Sequence, residues 1–211
     1  TATRHGGISE LYRGQGSSLT DLDPDPCGTD PETGIGPSYS AEQCARTGLA
    51  AVDYGSDLKS PADQYNILTG GNPNLVPEES ESVTLGVVWT PESVPGLSIT
   101  LDYFDIEITD GIGTIPASTS LIQCLETGNP TFCNLIERDP IAGTLWISPG
   151  QIITTNTNVS ESGLTGYDII FTYPLETPIG VVDLKGISTI TDSDTFISIP
   201  GAEELECAGY Y

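Results

Sequence analysis

Ser82-Val83-Thr84-Leu85-Gly86-Val87-Val88-Trp89 decides the fold. Val83, Leu85, Val87 and Trp89 point one way; Ser82, Thr84 and Gly86 point the other, the period of two that makes a β-strand. Turn chemistry follows in Pro91-Glu92-Ser93-Val94-Pro95-Gly96. Leu97, Ile99, Leu101 and Tyr103 then alternate with Ser98, Thr100 and Asp102. After Tyr103 the phase flips to Phe104, Ile106 and Ile108, which predicts a β-bulge near Tyr103-Phe104. A second hairpin pairs Tyr167, Ile169, Phe171 and Tyr173 with a strand from Val181 to about Ile190, across a turn from Pro174 to Gly180. A weaker fifth strand is expected within Thr3 to Tyr12.

Between these bursts, Gly14 to Pro77 and Gly111 to Asn158 carry no strand signal, apart from a helix-like patch at Ala117 to Leu125. Unstructured connections this long are unusual in a compact domain. Here they alternate with short turns, the layout of an outer-membrane β-barrel with short turns at one rim and long loops at the other. Five membrane strands cannot close, and open edges are not tolerated in lipid. The pattern therefore implies a piece of a larger barrel, and the absence of methionine among 211 residues likewise points to a processed chain or a fragment.

Composition narrows the function. Thirty acids stand against six bases, a net charge of −24. Such a chain lacks the clustered Lys and Arg that neutralise nucleic-acid phosphates or dock on an anionic membrane surface. The apolar fraction is 37%, and no run is long enough for a transmembrane helix or a signal-peptide core. Five cysteines in an acidic, Lys-poor chain point to an oxidising compartment. Their spacing, Cys27 with Cys44, Cys124 with Cys133, and Cys207 alone, suggests two local pairs, with about fifteen pairings open to five thiols.

Enzymatic readings have few residues to rest on. His5 is the one histidine, and no G-x-S-x-G elbow, phosphate loop or dinucleotide fingerprint occurs. Asp105 and Glu107, two apart, share one strand face, where a barrel wall is a better account than glycoside hydrolysis. Asp21, Asp23, Asp25 and Glu32 occupy positions 1, 3, 5 and 12 of a calcium-type loop, but Pro26 stands where the turn needs glycine. A solvated acidic loop is the simpler reading, with a weak non-EF calcium site the alternative. Trp89 and Tyr173 lie close to the short turns, where an aromatic girdle belongs. Asn158-Val159-Ser160 matches a glycosylation sequon by pattern alone.

Leu68-Thr69-Gly70-Gly71-Asn72-Pro73-Asn74-Leu75-Val76-Pro77-Glu78, followed by Ser82 to Gly86, resembles the "GNPxLxPE" segment of the TonB-dependent outer-membrane receptors. Leu97 to Asp110 resembles the family's "DYYDIxIxD" strand, and Ser162 to Asp168 its "GxxTxGxD" strand opening. Cys124 through Cys133 resembles a cysteine-bearing extracellular loop. His5 to Tyr12 is similar to "RAPxxxELY", with His5-Gly6-Gly7 departing from it. No TonB box, plug or final aromatic-ended strand is visible.

The resemblance implies an all-β fold: an antiparallel meander of about four to five strands from a 22-stranded transmembrane barrel, with long extracellular loops and one short loop helix, residues 1–211 forming part of the barrel domain. It implies no enzyme and no cofactor. It implies outer-membrane lipid, an extracellular small solute, and TonB acting through the missing plug as partners, in a bacterial outer membrane. The solute would be a siderophore, cobalamin or an oligosaccharide; the chain alone would neither transport nor bind TonB. Strands are expected over 82–90, 97–109, 164–174 and 180–191, with Val83, Leu85, Val87, Tyr167, Ile169 and Phe171 on one uncovered face. The expected bridges are Cys27–Cys44 and Cys124–Cys133, with Cys207 unpaired because its partner lies beyond Tyr211. The rival is a secreted acidic β-sandwich binding ligand or calcium, which would bury that same face.

Overall fold

The computed structural model describes residues Thr1–Tyr210. In chain order the elements are β1 (Ala2–Arg4), α1 (Ile8–Tyr12), β2 (Gly16–Asp21), α2 (Ala41–Ala45), β3 (Gln64–Thr69), β4 (Glu78–Trp89) and β5 (Ser98–Gly113), then α3 (Ala117–Thr127), α4 (Pro130–Cys133), β6 (Ile136–Glu137), β7 (Gln151–Ile153), β8 (Thr157–Thr177), β9 (Gly180–Ile197) and β10 (Leu205–Glu206). They form two compact units. A sheet unit holds Thr1–Gly6, Val76–Ile112 and Asn158–Tyr211; a loop unit holds Gly7–Leu75 and Gly113–Thr157. The architecture is all-β, with two sheets and short helices.

The sheet unit is one six-stranded sheet in the order β1-β4-β5-β8-β9-β10. The two long hairpins, β4–β5 and β8–β9, are antiparallel and lie side by side, so the expected order of the four strands holds. The register from Glu79↔Thr109 to Trp89↔Ile99 is unbroken, so the expected bulge at Tyr103-Phe104 is absent. The phase flip instead marks where the apolar band ends on one face of β5. A register shift does occur in the other hairpin: Thr165 pairs Ser193 and Gly166 pairs Thr191, which leaves Asp192 as the extra residue. Gly166 is required there, since a Cβ would come within 2.7 Å of the Phe104 ring. The second turn is also tighter than expected. β8 runs through Pro174 to Thr177, which pairs Gly180, so Pro178-Ile179 alone make the bend. Pro174 packs on Gly96 in the first turn, beyond the start of β5 at Ser98, where a strand proline is tolerated.

Residues directly opposite across a pair share a face. Val83, Leu85 and Val87 therefore lie with Tyr103 and Leu101, and Tyr167, Ile169 and Phe171 lie with Ile190 and Gly186. The two sets meet where the rings of Tyr103 and Tyr167 stand 5.4 Å apart. Trp89 and Tyr173 continue the same face toward the turns. None of the described residues covers it: Leu85 is 70% and Phe171 42% exposed. The rival sandwich would have buried this set.

The core sits in the loop unit. All the buried apolar side chains except Val159 and Ile199 belong to it, among them Leu58, Tyr65, Leu125, Phe132, Leu145 and Ile152. The two stretches expected to be unstructured are thus a folded body. Its sheet runs β2-β3-β7-β6, with β2 antiparallel and β7 parallel to β3. Four short helices occur among the described residues where one was expected. α2 starts with a capping box, Ser40 accepting from the Gln43 N–H and Gln43 from the Ser40 N–H. α3 follows Pro116 and ends at Gly128 in the left-handed conformation (φ 67°). No described helix is long and apolar enough to cross a membrane.

Candidate functional site

Residues 22–27 leave β2 and end in a turn closed by the Gly28 N–H on the Asp25 carbonyl (3.0 Å), and their side chains have two different fates. Asp25 and Cys27 are turned inward and buried. The Asp25 carboxylate meets the Arg138 guanidinium at 2.7 Å, with side chains only 0% and 2% exposed. Arg138 donates further to Thr47 Oγ1 (2.8 Å) and the Gly143 carbonyl (2.8 Å), and Asp25 Oδ1 accepts from the Cys27 N–H at 3.0 Å. The Asp25 N–H donates to the Tyr65 hydroxyl (3.2 Å). A buried charge demands such a full set of partners.

Cys27 is bonded to Cys44 (S–S 2.05 Å) and Cys124 to Cys133 (2.02 Å), while Cys207 carries a free, half-buried thiol. Both bridges lie in the loop unit, one behind residues 22–27 and the other on α3.

The outward side of the segment faces α3 across a cleft of about 280 Å³. Leu22, Pro24 and Pro26 form one wall, and Leu121 and Ile122 the other. Ser38, Tyr39, Ser118 and Asp23 complete the lining. The Tyr39 hydroxyl lies 3.3 Å from Glu126 Oε1, and partial burial together with that carboxylate raises its pKa, so the phenol stays protonated.

The four acids of the calcium-type pattern are not brought together. Asp25 is committed to Arg138, Asp21 takes a bond from Gln64 Nε2, and Glu32 pairs with Lys59 at 2.9 Å. No group of three or more metal-ligating side chains occurs among the described residues. His5 is exposed, and Asp105 and Glu107 stay on β5, where Asp105 takes the Tyr103 hydroxyl (3.4 Å). Asn158 of the sequon-like pattern ties β8 to the flanks of β4 and β5. Its amide donates to the Val76 (2.9 Å) and Asp110 (2.6 Å) carbonyls and accepts from the Val76 N–H. Arg138 and Tyr65 carry no signal in the sequence, because nothing along the chain marks a partner 113 residues away.

Burial raises the pKa of Tyr65 above 10.0, outweighing the N–H bonds from Ser60 and Asp25 that favour the phenolate. The stability it contributes is complete below the unfolded tyrosine value and is lost as pH rises through the higher folded value. Alkaline titration should therefore expose Tyr65 cooperatively with unfolding of the loop unit, read as a late step in tyrosinate absorbance. In Tyr65→Phe that late step should vanish; its persistence would assign it to another tyrosine.

A wall of long antiparallel hairpins with an uncovered apolar face is the kind of surface that a β-barrel turns to lipid. Residues 12–200 match the family model described as "TonB dependent receptor-like, beta-barrel", and the chain belongs to that family. No curated protein matches it. Its role is that of an outer-membrane receptor, in a family of transporters rather than enzymes.

Proposed function

We propose that the chain supplies barrel wall and solute-capturing loops to a receptor for energised uptake of a scarce small solute across a bacterial outer membrane. A siderophore, cobalamin or oligosaccharide would suit that role, with TonB acting through a plug elsewhere in the parent protein. One observation carries the reading: nearly all the buried apolar side chains lie in the loop unit, whereas the hairpins of the sheet unit present a contiguous exposed apolar face that includes Val83, Leu85, Val87 and Phe171. A soluble protein does not leave so large an apolar face to water, whereas a barrel wall turns it to lipid.

The sheet edges point the same way. β1 covers only Glu78–Ser80 of β4, and β10 only Thr195 and Phe196 of β9. In lipid the remaining edge groups need strands beside them, which supports reading residues 1–211 as part of a larger barrel domain.

Impermeant maleimide labelling of the whole receptor in intact cells tests this reading, with Cys207 replaced by serine. Ile35→Cys, exposed in the loop unit, should react; Leu85→Cys, on the lipid face, should not. Equal labelling would refute the membrane placement. A charge at the same position should also be costly. Leu85→Arg is expected to destabilise the barrel by about 2–4 kcal/mol if it lies near the bilayer midplane. Thr84→Arg, one residue along and facing the opposite side, should cost much less. Refolding equilibria in lipid measure the difference.

A further inference from the structure

We propose that the cleft between residues 22–26 and α3 takes a small organic cation with a compact apolar or aromatic body. The inference rests on the reading of the loop unit as the solute-capturing part of the receptor, and it names the charge and size of the solute moiety that this cleft would hold.

The walls are apolar: Leu22, Pro24 and Pro26 on one side, Leu121 and Ile122 on the other. A volume of about 280 Å³ sits at the lower limit of the roughly 300–1,000 Å³ typical of ligand sites, so the guest is small. Both walls are preformed. Asp25–Arg138 and Cys27–Cys44 hold the first from behind, and Cys124–Cys133 braces the helix that forms the second. Binding then orders little that is not already ordered.

The polar groups select for positive charge. The Asp23 carboxylate lines the cleft, is exposed, and has no ion-pair partner among the described residues. Asp21 stands where the cleft opens past Leu22 and Ser118. Tyr39 supplies an aromatic side chain to the same lining, and a ring and a carboxylate in one cleft suit an ammonium group. No basic residue lines the cleft. Of the loop unit's cations, Arg46 is turned to the Leu125 and Glu126 carbonyls, Lys59 to Asp30 and Glu32, and Arg138 to Asp25. Arg13 does not reach the lining either.

These carboxylates also suit a second role. Ser118 lies in the first turn of α3, and acids near a helix N-terminus stabilise it. The experiment must separate helix stabilisation from cation selection.

Three probes share one ring and differ in charge: benzyltrimethylammonium, benzyl alcohol and benzoate. Each is titrated by saturation-transfer NMR against the full chain in uncharged detergent, with empty micelles as the reference. The cation should bind about tenfold more tightly than the alcohol, and benzoate not at all. Asp21→Asn/Asp23→Asn should erase the preference for the cation and leave the alcohol unchanged. Ile122→Arg, at an exposed lining position, should abolish cation binding while Trp146 fluorescence reports an intact loop unit. Equal affinity for cation and alcohol in the unaltered chain overturns the proposal. So does undiminished cation binding in the double Asn variant, with lower thermal stability showing that the acids serve α3. Failure of the receptor reading would appear separately, in the maleimide labelling of Leu85→Cys.

Discussion

Replacing Arg138 with leucine should destabilise the loop unit by about 3–5 kcal/mol, the cost of leaving a buried charge without its partner. The guanidinium donates to both Asp25 oxygens, at 2.7 and 3.3 Å, and to Thr47 and Gly143. Without it, the Asp25 carboxylate keeps only the Cys27 N–H among the bonds described, in a site that excludes water. The double variant Asp25→Leu/Arg138→Leu should recover much of the loss, because the uncompensated charge then disappears. Trp146 is the reporter, since its indole donates to the Leu58 carbonyl (3.2 Å) within the same unit. Of the chain's 2 tryptophans, the other is Trp89, in the sheet unit, so a Trp89→Phe background isolates the signal. A loss under about 1 kcal/mol, as for an exposed pair, would show that the site is wetter than the geometry indicates.

Removing both disulfides should be comparably severe. Closing loops of 17 and 9 residues restricts the unfolded chain by roughly 3 and 2.6 kcal/mol in the chain-entropy treatment. The sum is of the order of a small domain's whole stability, about 5–15 kcal/mol. Cys27→Ser/Cys44→Ser should cost slightly more than Cys124→Ser/Cys133→Ser, and Cys207→Ser little. Limited proteolysis with and without reductant checks this. The reduced chain should be cut within 22–47 and 113–135 while the β4–β5 and β8–β9 hairpins persist in detergent. Resistance of those loops after reduction would place the stabilisation in the core around Phe132 and Leu145 instead.

The two hairpins were legible because one face of each strand is apolar and uncovered and the other is largely polar, which gives the alternation in Val83 to Trp89 and in Tyr167 to Tyr173. Where both faces leave the apolar band, the signal stops, and so Glu78–Glu81 and Thr157–Gly163 do not read as strand. The shift beside Asp192 is silent for the same reason: Thr165, Gly166, Thr191 and Ser193 are small or polar and carry no phase. The loop unit is illegible for another reason. Gly16–Asp21 is a strand of mostly polar residues, and β6 and β7 are two and three residues long. They exist through pairing with distant segments, as in Ile67↔Ile152, and no local pattern announces such a partner. The cleft follows from that packing and is equally hidden.

The loop unit is assembled from two stretches of chain, Gly7–Leu75 and Gly113–Thr157, with a hairpin of the wall encoded between them. Neither stretch keeps its interior alone: Asp25 and Thr47 belong to the first and their arginine to the second. A graft that moved one stretch onto a related barrel would carry half of an ion pair and half of a sheet. Loop swapping between receptors of this kind must therefore transplant both stretches at once, and an insertion tolerated in one will be constrained by the sequence of the other.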